Sequence, residues 1–255
     1  MKPLYNEPWK PLKNPRPFKQ LNMTFIQRDS FTAEIIRSSK RKTVSIKISK
    51  GKVFISAPSF ITHSTIEAII IKKQAWIKAK LAIQEKIATI QPKQFINDEK
   101  FLYLGKDYTL QIIAGLRSSV HIDNNALIIT TKKQYLNDAI TLKKLLTQWY
   151  RQQAEIILKE KTDAYAKLIG VNPTSITIKT FKARWGSCTI KAGIQYNWKI
   201  IMAPETIIDY LVIHELCHIH HHNHSVVYWQ TVAKFCEHYK ECGKWLKLNG
   251  AYLEL

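Results

Sequence analysis

Residues 214 to 224 read His-Glu-Leu-Cys-His-Ile-His-His-His-Asn-His, and the first five of them form the pattern HExxH. On an α-helix, residues four apart lie one above the other on the same face, so His214 and His218 can present two imidazoles to one metal ion. Zinc is the default metal for such a pair. Glu215 follows His214 directly, which aims it beside the ligand pair, where it can reach a water on the metal without being a ligand itself. Two ligands, a base and an open position make a hydrolase arrangement. A helix is also what the surrounding segment spells. Pro204-Glu205 suits a first helical turn, and Ile208, Leu211 and Val212 follow at helical spacing in a segment that runs to His222.

The third ligand is a question of geometry, because His220, His221, His222 and His224 all stand near the pair. His221 and His222 lie two turns beyond His214, roughly 10 to 12 Å along the axis at 1.5 Å per residue, whereas each ligand nitrogen must come within about 2.1 Å of the metal. A straight helix cannot deliver all three, so the chain has to bend after His218 and return, with Asn223 as a left-handed stop. His224 then swings back toward the metal. Its ten-position distance from His214 equals that of the metzincin pattern HExxHxxGxxH, although His221 stands where that pattern has glycine. His221 is expected to support the site from outside, and His220 and His222 to be solvated.

Composition bounds the rest. A chain of 255 residues that is 45% hydrophobic can bury a sizeable core in one large or two small domains. It has no apolar run of membrane-spanning length, and its start, MKPLYNEPWKPLKNPRPFKQ, lacks the apolar centre of a signal peptide, so a cytoplasmic protein without membrane contact is expected. Cys188, Cys217, Cys236 and Cys242 form no CxxC pair and read as reduced thiols. The net charge is +20, of which +13 falls in residues 1 to 100 (20 Lys+Arg against 7 Asp+Glu). Such a surface keeps a protein soluble and can also attract nucleic acid or another polyanion, although no nucleic-acid motif accompanies it.

Three regions follow from the patterning. Residues 1 to 24 form a Pro- and Lys-rich arm, with Trp9 and Phe18 as possible docking points and a blocking segment over the site as one possible use. Residues 25 to 133 read as α+β. Alternation at Thr43 to Ile48 and Val53 to Ser56 flanks a Lys50-Gly51 hairpin, and a helix from Ser64 to Ile90 places Ile66, Ile69, Ile70, Trp76 and Ile77 on its apolar side. Strands are expected at Phe101 to Leu104, Tyr108 to Ile113, Val120 to Ile122 and Leu127 to Thr131. Residues 134 to 255 open with a long helix, about Tyr135 to Ile169, that Gly170 is placed to end. Ile176 to Ile178 and Ile194 to Tyr196 read as short strands on either side of Arg184-Trp185-Gly186-Ser187-Cys188. Residues Ile194 to Asn197 are expected to form a sheet edge that receives an extended substrate. A further helix from Ser225 to Tyr239 would bury Trp229, Val232, Cys236 and Tyr239 as core.

The order RSSKRKTVSIKI from Arg37, a tryptophan helix around Trp76, RWGSC, NWKIIMAP, IDYLVIHELCHIHHHNHS and a final WLK resembles the YgjP-like zinc metallopeptidases, relatives of the SprT-like proteins. The similarity covers about residues 30 to 250. It implies an α+β fold: a β-rich N-terminal part with a helix, then a zincin-like helical core with a small sheet, carrying HExxH on the active-site helix. It also puts His214, His218 and His224 on the family's metal positions, and Glu215 on its catalytic glutamate. The chain departs from the usual pattern with Lys199 after Asn197-Trp198 and with Tyr228 before Trp229.

The expected activity is therefore zinc-dependent hydrolysis of peptide bonds in a protein or peptide substrate, with one Zn²⁺ per chain, zinc-activated water and Glu215 as general base. Arg184, Tyr196 and Tyr228 are the candidates for steadying an oxyanion. Two rivals stand beside this reading. One is a deformylase-like, non-peptidase zinc hydrolase in which Cys188 completes the ligand set. The other is a nucleic-acid-binding protein whose zinc site is only structural.

Overall fold

The structure, a computed structural model, describes residues 23–88 and 91–255. The arm, with Trp9 and Phe18, lies outside the described residues except at its last positions. The fold is α+β, and the chain divides into two compact units, Met1–Thr89 and Ile90–Leu255. That division falls inside the 25 to 133 region, because the strands after residue 99 share a core with the C-terminal helices.

In the first unit β1 (Met23–Arg28), β2 (Phe31–Ser38), β3 (Ser45–Ser49) and β4 (Lys52–Pro58) form a sheet in the order β1-β2-β4-β3, followed by α1 (His63–Ala88). Lys50 and Gly51 both take positive φ, 52° and 72°, which matches the twist of a tight hairpin between β3 and β4. Alternate residues Val53, Ile55 and Ala57 point inward with Ala33 and Ile35, and Ile66, Ile70 and Ile77 of α1 cover them. Trp76, expected on the apolar side, is 44% exposed, since its neighbour Ile77 takes the inward position.

The second unit opens with β5 (Lys100–Tyr103), β6 (Lys106–Ala114), β7 (Ser119–Asp123) and β8 (Ala126–Thr131), in the order β5-β6-β8-β7. Leu110, Leu127 and Ile129 from this sheet meet Leu142, Leu146, Trp149 and Tyr150 of α2 (Ala139–Ile169) in one core. The helix begins four residues later than its apolar pattern suggests. Asp138 is the better start, its carboxylate accepting from the N–H groups of Ile140 and Thr141. Gly170, at φ 79°, ends it as read.

Two contacts fix the entry to α3 (Glu205–Cys217). In the β5–β6 turn, the N–H groups of Leu104 and Gly105 donate to the carbonyls of Ile201 and Met202, at 2.9 and 3.2 Å. A Cβ on Gly105 would stand 2.7 Å from Cα of Pro204, so no larger residue permits this approach. From the other side, Lys161 of α2 reaches Asp209 at 2.8 Å and Glu205 at 3.3 Å.

A small sheet completes the unit: β9 (Ser175–Lys179), β10 (Gly186–Cys188) and β11 (Gly193–Asn197), in the order β10-β11-β9. The segment expected at the edge, Ile194 to Asn197, is instead the central strand, parallel to β9 and antiparallel to β10. Its alternation is that of a strand covered on both faces, with Ile194, Tyr196 and Asn197 all buried. The edge next to the HExxH helix is β10. The helix expected from Ser225 to Tyr239 ends earlier, as α4 (Val226–Phe235), where Cys236 takes φ −143°, and Tyr239 opens a further helix, α5 (Tyr239–Asn249).

Candidate metal centre and catalytic cleft

Helix α3 is apolar around most of its girth, with Ile207, Ile208, Leu211, Val212, Ile213 and Leu216 buried, which anchors it in the core and leaves little freedom to its polar residues. It stops at Cys217, with His218 as the C-cap, rather than running on to His222. Tight turns carry the chain around, His221 N–H donating to the carbonyl of Cys217 at 3.1 Å. Asn223 does not take the left-handed conformation expected of it. Its side-chain oxygen accepts from Ser225 N–H at 3.2 Å, and Ser225 caps α4. The bend is thus made by a turn and a new helix start, without glycine.

The return brings His224 back to the pair. One nitrogen from each of His214, His218 and His224 lies within 4.8 Å of the others, and Nε2 of His214 and His224 are 3.3 Å apart. Nδ1 of His218 meets the carbonyl of His221 at 2.9 Å, and since a carbonyl only accepts, the proton sits on Nδ1 and the Nε2 lone pair is free. His221 thus meets His218 through its backbone carbonyl, while its own ring meets Thr231 Oγ1 at 3.3 Å. Burial, with His218 and His224 close by, pulls His214 down to about 3. Burial also lowers His218. Three converging imidazole nitrogens, two of them on rings that burial holds toward the neutral form, fit a cation, and a three-nitrogen set leaves a fourth position open, which fits zinc in a catalytic role. Cys188 is not in this group; its thiol donates to the carbonyl of Thr189 at 3.5 Å.

Glu215 is 4% exposed, and burial pushes its carboxyl up to about 8, with Arg184 pulling the other way. Gly186 of β10 lies directly against it. The site opens into a cleft of about 820 Å³, floored by His214, Glu215 and His224 and flanked by Arg184 and Trp185 on one side and Trp229 and Tyr239 on another.

The three oxyanion candidates separate clearly. Arg184 is exposed and lines the cleft, its guanidinium 5.4 Å from the ring of Phe181. Tyr196 is fully buried, its hydroxyl sharing a hydrogen bond with Thr162 at 3.0 Å, and it does not line the cleft. Tyr228 is also fully buried. Its hydroxyl donates to the carbonyl of His214 at 3.0 Å and its ring stacks on His218 at 4.5 Å, so it positions two of the three histidines. Trp229 and Tyr239, expected as core, do pack against the buried cluster of Ile213, Cys217, Tyr228 and Val232, and their other faces line the cleft together with Tyr210 and Gly186. A helical stripe of aromatics has the same spacing whether it faces a core or a groove, so periodicity alone cannot separate the two.

The family described as YgjP-like, metallopeptidase domain, matches residues 42–249. Among solved structures, the metallopeptidase zymogen of Pyrococcus abyssi abylysin is similar over 35% of this chain and 92% of its own, at 21% identity and a TM-score of 0.33. So partial an overlap carries no argument. No curated protein matches the chain.

Proposed function

Because the chain belongs to the YgjP-like metallopeptidase family, we propose that it is a zinc-dependent peptidase with one zinc per chain, held by His214, His218 and His224, and with Glu215 as general base. The convergence of three imidazole nitrogens within 4.8 Å, beside a buried carboxylate in an open cleft, is the observation that supports this most. When bound, the metal supplies Lewis acidity, lowering the pKa of a water toward about 7 and polarising a carbonyl oxygen.

The chain's own residues do the rest. Glu215, held by the rigid α3 next to His214, takes the proton of the attacking water and delivers it to the departing amine. Gly186 leaves that carboxylate room at the cleft wall, and Arg184 offers a cation where oxyanion charge develops. Strand β10, which among the described residues pairs with β11 alone, offers its outer backbone edge to an extended peptide. The substrate is accordingly an unfolded or extended polypeptide segment. Among the described residues no helix is long and apolar enough to cross a membrane.

The test is zinc content by elemental mass spectrometry together with hydrolysis of an unfolded protein by the loaded chain. Glu215→Gln should abolish turnover while keeping one zinc per chain. Turnover that survives the substitution removes the general-base assignment, and a wild-type chain that takes up no zinc removes the peptidase reading. No observation favours the rival with Cys188 as ligand, which stands outside the histidine group.

A further inference from the structure

The cleft wall is a stack of rings leading away from the metal group. Trp229 lies on His224 with centroids 5.4 Å apart and planes at 28°, and Tyr239 lies on Trp229 at 5.2 Å and 17°. The stack ends in a charge: Nζ of Lys240 sits 5.8 Å from the Tyr239 ring. Helix α5 continues this wall with Gly243, Leu246 and Lys247, so Lys240 and Lys247 border the cleft two helical turns apart, roughly 10 Å along the axis. Between them Gly243 opens the floor, because a Cβ there would stand 3.1 Å from the hydroxyl of Tyr210.

Charge around this groove is one-sided. Arg184, Lys240 and Lys247 line it, and Glu215 is the sole carboxylate among the lining residues. None of the three cations is in an ion pair among the described residues. Apolar aromatic walls favour a bulky apolar side chain, and Lys240 and Lys247, which unlike Arg184 have no carboxylate nearby in the cleft to balance them, favour anions beside it. The spacing of Lys240 and Lys247 corresponds to about three residues of extended chain.

We propose that the cleft selects polypeptide segments in which a bulky apolar residue is flanked by acidic residues. The apolar side chain seats against Trp229, Tyr239 and Tyr210, and the carboxylates pair with Lys240 and Lys247. This rests on the peptidase reading above and names the substrate class of that same site.

Binding separates the two. Fluorescently labelled short peptides with a single phenylalanine flanked by glutamates, the same with lysines, and the glutamate peptide with serine for phenylalanine are titrated into the zinc-loaded Glu215→Gln protein. The acidic apolar peptide should bind about tenfold tighter than the basic one at low salt, roughly what two partly exposed ion pairs supply. Serine for phenylalanine should cost about tenfold again. Lys240→Glu with Lys247→Glu should reverse the order of acidic and basic peptides, whereas Lys132→Glu with Lys133→Glu, outside the cleft, should not. Equal affinity for the acidic and basic peptides, indifference to the phenylalanine, or an equal reversal by the outside pair would overturn the selectivity. Hydrolysis of the same peptides by the wild-type chain reports on the other question. Binding with this pattern but no cleavage leaves the selectivity standing and removes the peptidase, while cleavage without charge preference does the opposite.

Discussion

The backbone of Gly186 lies so close to the side chain of Glu215 that a methyl group on it would stand 2.5 Å from Oε1 and 2.7 Å from Cγ. An edge strand and the carboxylate proposed as general base thereby share one wall of the cleft. Gly186→Ala meets no backbone obstacle, since Gly186 is not at positive φ, but the methyl must displace a carboxylate that is 4% exposed and has little room to move. Overpacking of this kind costs about 1 to 3 kcal/mol, and a carboxylate moved by about 1 Å loses roughly a hundredfold in rate. Gly186→Ala should therefore keep one zinc per chain, as elemental analysis would read, and lose most of its turnover. Near-normal rates in that variant would mean that the carboxylate tolerates a different position.

Removing His224 should empty the site. The residue is exposed and contributes nothing to the core, so His224→Ala should fold while its zinc affinity falls by more than the roughly 10- to 100-fold that loss of an outer hydrogen bond costs. Cys188→Ala should retain the metal, because its thiol faces the carbonyl of Thr189 and stands outside the histidine group. A competition titration against a chromophoric chelator measures both. The reverse ranking would move the third ligand to the cysteine.

Tyr228 discriminates between positioning and catalysis. Its hydroxyl donates to the carbonyl of His214 from a fully buried site, so Tyr228→Phe leaves that acceptor short of a partner at a cost of about 1 kcal/mol. Denaturant unfolding should register that loss while kcat stays within about threefold, against the roughly 100- to 1000-fold expected on removing an oxyanion donor. A fall of the larger size would place the hydroxyl on the substrate.

How much of this was legible in the chain depends on how local each signal is. The pair His214 and His218 is set by four-residue spacing on one helix, and the return of His224 by the reach of a straight helix, so both could be reasoned from bond lengths and rise. The path between them could not, because its turns are held by Ser225 and Asn223 acting together rather than by a left-handed stop. The identity of the edge strand was also hidden. Three residues, Gly186 to Cys188, are too few to show alternation, while Tyr196 and Ile194 advertise a strand without saying how many neighbours it has. Trp229 and Tyr239 sit at core spacing, and their place on a cleft wall follows from the break at Cys236, where a backbone φ of −143° ends α4.

Glu215 should carry a stability cost that depends on pH in the metal-free chain. Burial raises its folded-state pKa to about 8 from an ordinary value of 4.5, so below pH 4.5 the carboxyl is protonated in both states and costs nothing. As pH rises from 4.5 to about 8 the unfolded chain releases its proton more readily than the folded one, and stability declines by up to about 1.4 kcal/mol per pH unit, a few kcal/mol in all. Glu215→Gln cannot ionise and escapes that decline. After chelation, the variant should therefore melt above the wild type at pH 8, with the gap closing toward pH 4. His214, pulled down to about 3, loses stability as pH falls from 6.5, but it does so in both proteins and cancels in the difference. A gap in melting temperature that stays constant between pH 4 and pH 8 would show that the glutamate is ionised at no cost, and that the site stores none of the strain its burial implies.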